Sequence, residues 1–360
     1  MTEQFCISVI VPFYNAEKHI KTCLDALFKQ DFNKPFEIIM VDDASNDNSR
    51  EIVKSYNSSN IQLYSLNSNS GPSAARNIGL KKAKGKYVYF LDVDDTIESN
   101  TLKILYSVLN EKDYDLVFSD KKWIENSKNQ RNNIFDYSSD QAFGKLEFEE
   151  VMRKRFHDPL STGKFFGLTG RLIKNSIIKK NNILFEEKLR YLEDDTFMWD
   201  VLAFVRNARY IRRQLYSYHV HPNVNTALSE GLNRGFPISN FKLVRHHIQN
   251  SLKLRGFSNK EIEKIGDQGF IFFIISALIS YSRSMIQGKI DLQSGKKCRK
   301  KIIQDILNDK EVSKAIRNYS RSKNESTWIP RAITWRSQML LEFACTKRAE
   351  EILRIRKKLN

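Results

Sequence analysis

The first 120 residues alternate short apolar segments with helical patterns, and this alternation limits the folds that the chain can adopt. Segments 7–11, 37–41 and 61–66 are largely apolar, and each is followed by a stretch with helical spacing. Segments 86–91 and 115–119 bring the predicted strands to five. Mostly apolar strands separated by helices form parallel sheets covered on both faces. We therefore predict an α/β fold with a mostly parallel, Rossmann-like sheet flanked by helices.

The pattern changes twice further along the chain. From about residue 121 to 145 the sequence is polar and rich in Asn, which predicts a loop or irregular excursion. Beyond about residue 230 the strand signals nearly vanish, and the pattern is helical with basic faces. We predict an α/β domain over 1–230, with halves at 1–120 and 121–230, and a mainly helical domain over 231–360.

Positive charge is concentrated at one end of the chain. The 360 residues carry a formal net charge of +17, with 41% hydrophobic residues, so a disordered basic tail is excluded. Residues 231–360 hold 27 Lys and Arg against 11 Asp and Glu, whereas residues 1–120 hold 13 against 17. We expect a near-neutral functional part and a basic part that faces phosphates or an anionic membrane.

The cysteines and the apolar segments indicate the cellular compartment in which we expect the protein. The four cysteines, at 6, 23, 298 and 345, show no metal-binding spacing and suit a reducing cytosol. The N-terminus lacks the pattern of a signal peptide, so we expect no secretion by that route. The longest apolar run, 269–279, is shorter than a membrane span and predicts a buried or interfacial helix.

Paired acids follow two of the predicted strands. Asp42 and Asp43 come after the second strand, and Asp92, Asp94 and Asp95 after the fourth. Ligands of open parallel sheets bind beyond the carboxyl ends of the strands. Five carboxylates at one edge repel one another unless a cation binds, and a divalent metal with a nucleotide diphosphate would meet that need. The alternative is that these acids cap the following helices.

Two further segments carry candidate chemistry. Arg76 lies in a small-residue turn, 70–77, where it supplies a cation for phosphate or for the acidic cluster. This turn is neither a P-loop nor a dinucleotide-binding fingerprint, which removes the main support for those classes. Glu193, Asp194 and Asp195 precede a helical run; they are N-terminal caps or include the general base that transfer to a hydroxyl needs.

Five motifs follow one another along the chain: VPFYN (11–15), VDDASND (41–47), GPSAARNIGL (71–80), FLDVDD (90–95) and EDDTF (193–197). In this order and spacing they resemble family 2 glycosyltransferases of the GT-A fold. The resemblance covers about residues 5–226. It implies a nucleotide-sugar donor, usually a UDP-sugar, and inverting displacement at the anomeric carbon.

The resemblance also implies roles for the residues that bind the donor. Asp92 and Asp94 form the DxD element, with Asp94 the direct ligand of Mn or Mg and Asp92 nearer the ribose or sugar. Asp95 is expected to bind the donor or only to orient its neighbours. Near the donor's nucleoside lie Pro12, Tyr14 and Asp43, with Asp43 facing the base, and near its phosphates lies Arg76.

The remaining positions come from the later motifs. The resemblance implies that Asp194, which follows Glu193 in the ED motif, is the general base. Asp195 leaves an alternative, but the spacing to Phe197 matches the family pattern for Asp194. His219 stands where relatives often have Arg, so His219 or His221 is a candidate contact to diphosphate or metal. Arg171 matches a basic position on the acceptor side.

The resemblance, together with the site residues, predicts a bacterial-type glycosyltransferase. It implies transfer of a hexose or N-acetylhexosamine to a glycan, lipid-linked or polymer acceptor of a capsule, lipopolysaccharide or similar surface polysaccharide. A nucleic-acid-binding protein is the second class, but residues 231–360 lack zinc spacing and an RNP signature, so we expect no nucleic-acid partner. A sugar nucleotidyltransferase is the third, but the Gly-rich, Lys-containing loop after the first strand is missing.

The basic region predicts a cytoplasmic enzyme that is peripheral at the inner face of the membrane. Its cations lie at 296–301 and 354–358, and Trp328, Trp335, Leu340 and Leu341 are expected to insert beside them. A solvated helical face or a contact in a homo-oligomer is the alternative.

Overall fold

The computed structural model describes residues 5–125, 128–130, 138–189, 191–220, 237–322 and 325–359. The chain divides into two compact units. Unit 1 contains residues 1–152, 163–187 and 193–223, and unit 2 contains residues 153–162, 188–192 and 224–360. Unit 2 thus takes two short segments from before residue 230, and the predicted domain limits stay predictions.

Four parallel strands form one half of the sheet in unit 1. Every residue of the first strand is buried, because helices cover both of its faces and leave neither face exposed to solvent. The spatial order is β3-β2-β1-β4. The strands are β1 (Ile7–Phe13), β2 (Phe36–Asp42), β3 (Ile61–Ser65) and β4 (Tyr87–Phe90).

The other half of the sheet is mixed. Its order continues β4-β9-β6-β10-β5, with β7 beside β6 and β8 beside β10. Strand β9 runs antiparallel to both β4 and β6, so the sheet is less parallel than predicted, although the predicted α/β class is confirmed. The strands are β5 (Thr96–Ile97), β6 (Leu116–Glu125), β7 (Lys128–Gln130), β8 (Gln141–Phe143), β9 (Arg171–Lys174) and β10 (Ala208–Val220).

The prediction of a loop or irregular excursion from about residue 121 to 145 is wrong at its beginning, and strands β7 and β8 also lie within this segment. Strand β6 continues to Glu125, because β10 pairs with it in parallel register from Ala208 to Val220. Backbone pairing with a neighbouring strand thus outweighs the polar side chains of this segment.

Helices of 4 to 11 residues connect these strands. Pro72 occupies the first turn of α3, where its missing N–H costs nothing. Helix α3 packs on β1 through Gly79, since a Cβ atom built there would lie 2.4 Å from Cγ2 of Ile10. The helices up to residue 202 are α1 (Ile20–Phe28), α2 (Ser49–Ser55), α3 (Pro72–Lys82), α4 (Thr101–Ser107), α5 (Lys145–Lys154), α6 (Pro159–Thr162), α7 (Asn175–Lys180) and α8 (Glu193–Leu202).

The C-terminal region is helical, as predicted. Helix α10 begins with a capping box in which Ser258 and Glu261 satisfy each other's backbone N–H groups. Its helices are α9 (Ile238–Arg255), α10 (Asn259–Ile286), α11 (Leu292–Asn308), α12 (Lys310–Ala315), α13 (Trp328–Thr334) and α14 (Gln338–Leu359).

Helix α10 contains the predicted apolar run 269–279. Within the described part of the chain it is the one helix long and apolar enough to cross a membrane, and 67% of its apolar window is buried in the protein. A core helix has the same length and composition, so this is weak evidence for a span.

We predict that Gly79→Ala lowers the free energy of unfolding by roughly 1–3 kcal/mol, because the added methyl group overpacks the contact between α3 and β1. Urea denaturation followed by circular dichroism measures the change. Lys81→Ala, at an exposed position of the same helix, is the control. Equal stability of the two variants would contradict this close packing.

Candidate active site

Three parallel strands end at the same edge of the sheet. Phe13 of β1 lies opposite Asp42 of β2, and Ile10 of β1 lies opposite Phe90 of β4. The segments that follow these strands therefore meet at this edge, as the positions of the paired acids in the sequence predicted. Pro12 is buried within β1, and Tyr14, just beyond its end, is 45% exposed.

The acids that follow β2 find their partners within the chain. Asp43 is buried and accepts hydrogen bonds at 2.7 Å from the backbone N–H groups of Ser70 and Gly71. Asp42 accepts one from the N–H of Ser45 at 2.9 Å and lies 3.4 Å from Nε of Arg50. The argument that all five carboxylates require a bound cation is therefore wrong for this pair. The contact of Asp43 with a nucleoside stays a prediction.

Arg76 joins the two acidic motifs. Its guanidinium donates to Oδ1 of Asp92 at 3.0 Å and to Oδ1 of Asp194 at 2.9 Å, and it lies 3.7 Å from Oε1 of Glu193. The side chain is only 6% exposed. Burial alone would lower the pKa of Arg76, but Asp194, Asp92 and Glu193 raise it above its ordinary value. Arg76 was expected to bind donor phosphate or the acidic cluster. The structure shows the contact with the acidic cluster.

Asp95 has a structural role at the end of β10. It accepts hydrogen bonds from the hydroxyl of Tyr216 at 2.5 Å and from the N–H of His219 at 2.8 Å. Burial and then Asp92 raise the pKa of Asp95 to about 8. Asp95 therefore fixes β10 beside the DxD segment, which is the orienting role that was one of its two expectations.

The structure describes one of the two candidate histidines. The imidazole Nε2 of His219 lies 3.1 Å from Oγ1 of Thr96. Its predicted contact with diphosphate or metal stays a prediction. His221 lies outside the described residues.

Asp92 and Asp94 are partly buried carboxylates at the sheet edge. No group of three or more His, Cys, Asp or Glu side chains in the described ranges could hold a metal ion by itself. Mg²⁺ in nucleotide sites commonly takes one or two protein carboxylates, and substrate phosphates and water supply the other oxygens. These two carboxylates fit that kind of site.

The ED motif opens helix α8. The Asp194 side chain is 40% exposed, whereas that of Glu193 is 14% exposed. Burial and Asp194 raise the pKa of Glu193 to about 7. Burial also raises the pKa of Asp194, and Arg76 opposes that rise. Asp194 thus combines access from solvent with a basicity above that of an ordinary carboxylate.

Lys121 is a cation of the site that the sequence did not indicate. It pairs with Tyr216 in the register of β6 and β10, and its Nζ donates to Oγ1 of Thr169 at 2.5 Å. Burial and then Arg171 lower the pKa of Lys121 to about 8, while Asp92, Asp95 and Asp194 raise it. Continuing the 115–119 strand pattern would have located this residue in a strand, but nothing in the sequence marks it as part of the site.

Arg171 is buried rather than displayed at the surface. It is 2% exposed, and its guanidinium donates to the carbonyl oxygens of Phe165 at 2.9 Å and Lys164 at 3.2 Å. Burial lowers the pKa of Arg171 to about 9. Arg171 therefore holds the turn Gly163–Phe166 in place, and its predicted role toward an acceptor stays a prediction.

A half-parallel sheet whose carboxyl edge gathers a DxD segment, an arginine and a second acidic pair is the arrangement expected of a GT-A glycosyltransferase. The family model described as Glycosyl transferase family 2 matches residues 8–175. Glycosyltransferase GlyG of Streptococcus pneumoniae is 30% identical over 217 residues, which are 59% of this chain and 70% of GlyG. The chain belongs to glycosyltransferase family 2, which is the family that the motifs predicted.

Other relatives are longer proteins. Staphylococcus aureus TarS, a poly(ribitol-phosphate) beta-N-acetylglucosaminyltransferase, is 35% identical over 193 residues, which are 53% of this chain and 31% of TarS. The chain thus matches about a third of the length of that relative. The crystal structure of TarS 1–349 in complex with UDP-GlcNAc superposes with a TM-score of 0.66 at 22% identity, over 97% of this chain and 92% of that one. This likeness confirms the GT-A fold.

We predict that Glu193 makes stability depend on pH. Its pKa rises on folding from about 4.5 to about 7, so the folded state binds the proton more tightly. The stabilisation is present below pH 4.5 and is lost as the pH rises through 7. Thermal unfolding between pH 5 and 8 in EDTA should show a smaller loss for Glu193→Gln than for the unchanged chain, and Glu111→Gln, an exposed control, should show the full loss. The same slope in all three would contradict the assignment.

Proposed function

We propose that this chain transfers a sugar from a UDP-sugar to a hydroxyl group of a surface polysaccharide, with inversion at the anomeric carbon. The observation that carries the proposal is the bridge that Arg76 forms between Asp92 and Asp194. It brings a donor-binding acid and a candidate base, which are far apart in sequence, to one edge of the sheet.

The relatives support the choice of donor and acceptor. TarS has been solved with UDP and with UDP-GlcNAc. TarS and a Bacillus spizizenii relative, 32% identical over 195 residues, are named for transfer of N-acetylglucosamine and glucose, respectively, to poly(ribitol-phosphate). UDP-GlcNAc and UDP-glucose are therefore the first donors to test, and a hydroxyl-rich polymer is the first class of acceptor.

We assign separate roles in a single displacement to different residues of the chain. The acceptor oxygen forms a bond to the anomeric carbon while the bond from that carbon to the diphosphate oxygen breaks. Asp194 takes the proton from the attacking hydroxyl, which its partial exposure and raised pKa favour. Arg76 fixes the orientation of this carboxylate. Because one displacement inverts the anomeric centre, no covalent sugar–enzyme intermediate is needed.

A divalent cation fits this site. Asp94, with Asp92 beside it, would hold Mn²⁺ or Mg²⁺, which would stabilise the negative charge on the departing diphosphate. Arg76 supplies a fixed positive charge at the same edge, and Lys121, whose pKa burial lowers to about 8, is a second cation there.

A panel of nucleotide sugars, assayed with Mn²⁺, with Mg²⁺ and in EDTA, tests the proposal. We expect metal-dependent release of UDP from a UDP-sugar. Release of pyrophosphate from a sugar phosphate and a nucleoside triphosphate would instead identify a nucleotidyltransferase. No turnover of any donor, together with a gel shift of nucleic acid that persists at moderate salt, would favour a binding protein.

Asp194→Asn should reduce transfer by roughly 10² to 10⁴ and leave donor affinity unchanged, because the amide cannot accept the proton. Initial rates and isothermal titration with UDP give the two quantities. Asp195→Asn is the control for the neighbouring acid, and we expect its rate to fall by less than about tenfold. Near-normal transfer by Asp194→Asn, or a larger loss in Asp195→Asn, would reject Asp194 as the base.

Asp94→Ala should abolish the metal-dependent part of UDP binding, because it removes the direct carboxylate ligand. Titrations with UDP in Mn²⁺ and in EDTA measure that part as a difference. Asp31→Ala, an exposed acid elsewhere in unit 1, should keep it. Metal-dependent binding that survives in Asp94→Ala would show that another group holds the ion.

A further inference from the structure

Helix α11 of unit 2 carries an unneutralised basic row. Lys296 and Lys300 are one turn apart, Lys297 and Lys301 lie in the adjacent row, and all four side chains are exposed. Further along the same helix, Ile302, Ile303, Ile306 and Leu307 are buried. None of the ion pairs formed between described side chains involves these four lysines, so their charge is directed to solvent.

An exposed apolar row begins just before helix α14 and continues along it. Trp335 is 60% exposed, Met339 83% and Phe343 59%. Met339 and Phe343 are one turn apart and therefore share a side of the helix. Leu341, which was expected to insert into a membrane, is fully buried, because it faces the core of unit 2. That part of the prediction is wrong.

The two rows run side by side. Nε2 of Gln304 donates to Oε1 of Gln338 at 3.2 Å, and a guanidinium nitrogen of Arg299 donates to Oγ1 of Thr346 at 3.0 Å. The earlier residue of α11 thus meets the later residue of α14, so the two helices are antiparallel. The basic and apolar rows therefore lie on two neighbouring helices, which meet along one seam.

We propose that this face, formed by the lysine row of α11 and by Trp335, Met339 and Phe343, binds the surface of an anionic lipid bilayer. Interfacial membrane binding requires apolar side chains that enter the headgroup region and cations that face anionic lipid, and the seam places both together. The inference does not depend on the proposed reaction.

Other occupants fit these observations less well. A soluble polyanion would use the lysines but would leave the apolar side chains in water. A protein partner would bury four lysines, and lysine is depleted from protein–protein interfaces. Only the lipid surface uses both rows.

Sedimentation of the full chain with vesicles tests the proposal. We expect strong binding to vesicles of phosphatidylcholine with phosphatidylglycerol, and weak binding to phosphatidylcholine alone. Lys296→Glu/Lys300→Glu should weaken binding to the anionic vesicles by about tenfold or more. Lys296→Arg/Lys300→Arg keeps the charge and should bind normally. Lys253→Glu/Lys260→Glu, which changes exposed lysines elsewhere in unit 2, is the matched control.

The apolar row is tested separately. Trp335→Ser/Phe343→Ser should also weaken binding to anionic vesicles and reduce the blue shift of tryptophan fluorescence that they cause. Leu254→Ser, at another exposed apolar position, should have no effect. Circular dichroism and thermal melting verify that each variant is folded.

Several results would overturn the proposal. Equal binding to neutral and anionic vesicles would show that the lysines do not bind anionic lipid. Normal vesicle binding by the lysine-to-Glu variant or by Trp335→Ser/Phe343→Ser, the two face variants, would show that this face does not bind the membrane. Sedimentation velocity is the third test. If the face variants convert an oligomer to a monomer and leave vesicle binding unchanged, a second copy covers this surface instead.

Discussion

The site depends on one buried cation. Arg76 is held among Asp92, Asp194 and Glu193, which come from two distant parts of unit 1. A guanidinium is suited to this position because it stays charged and can donate to two carboxylates at once. Without it, acids drawn together at one edge would repel one another, and the side chains assigned to donor and acceptor chemistry would lose their shared position.

Around this bridge the acids have separate tasks. Asp42 forms an ion pair with Arg50, Asp43 accepts hydrogen bonds from backbone N–H groups, and Asp95 ties β10 to the DxD segment. Those acids shape the site. Asp94 and Asp194 are the ones whose proposed tasks require a donor, a metal or an acceptor. The overall charge of +17 thus conceals an acidic site in unit 1 and a basic face in unit 2.

The sequence predicted those features that local pattern determines. The first four strands, helix α3 with Pro72 in its first turn, and the acids beyond β2 and β4 follow from periodicity and spacing. The features it did not predict depend on long-range pairing. Antiparallel insertion of β9, extension of β6 along β10, and the entry of Lys121 into the site are each decided by a neighbour distant in sequence. Likewise, which leucine of the 340–341 pair faces the core depends on how α14 packs.

A crystal structure of the chain with an intact UDP-sugar and Mn²⁺ would test the central claim most directly. The account predicts the diphosphate and metal at Asp92 and Asp94, and the anomeric carbon facing the carboxylate of Asp194, with room for an acceptor hydroxyl between them. A sugar that points away from Asp194, or a nucleotide bound away from the DxD segment, would contradict the claim that the Arg76 bridge organises a single catalytic site.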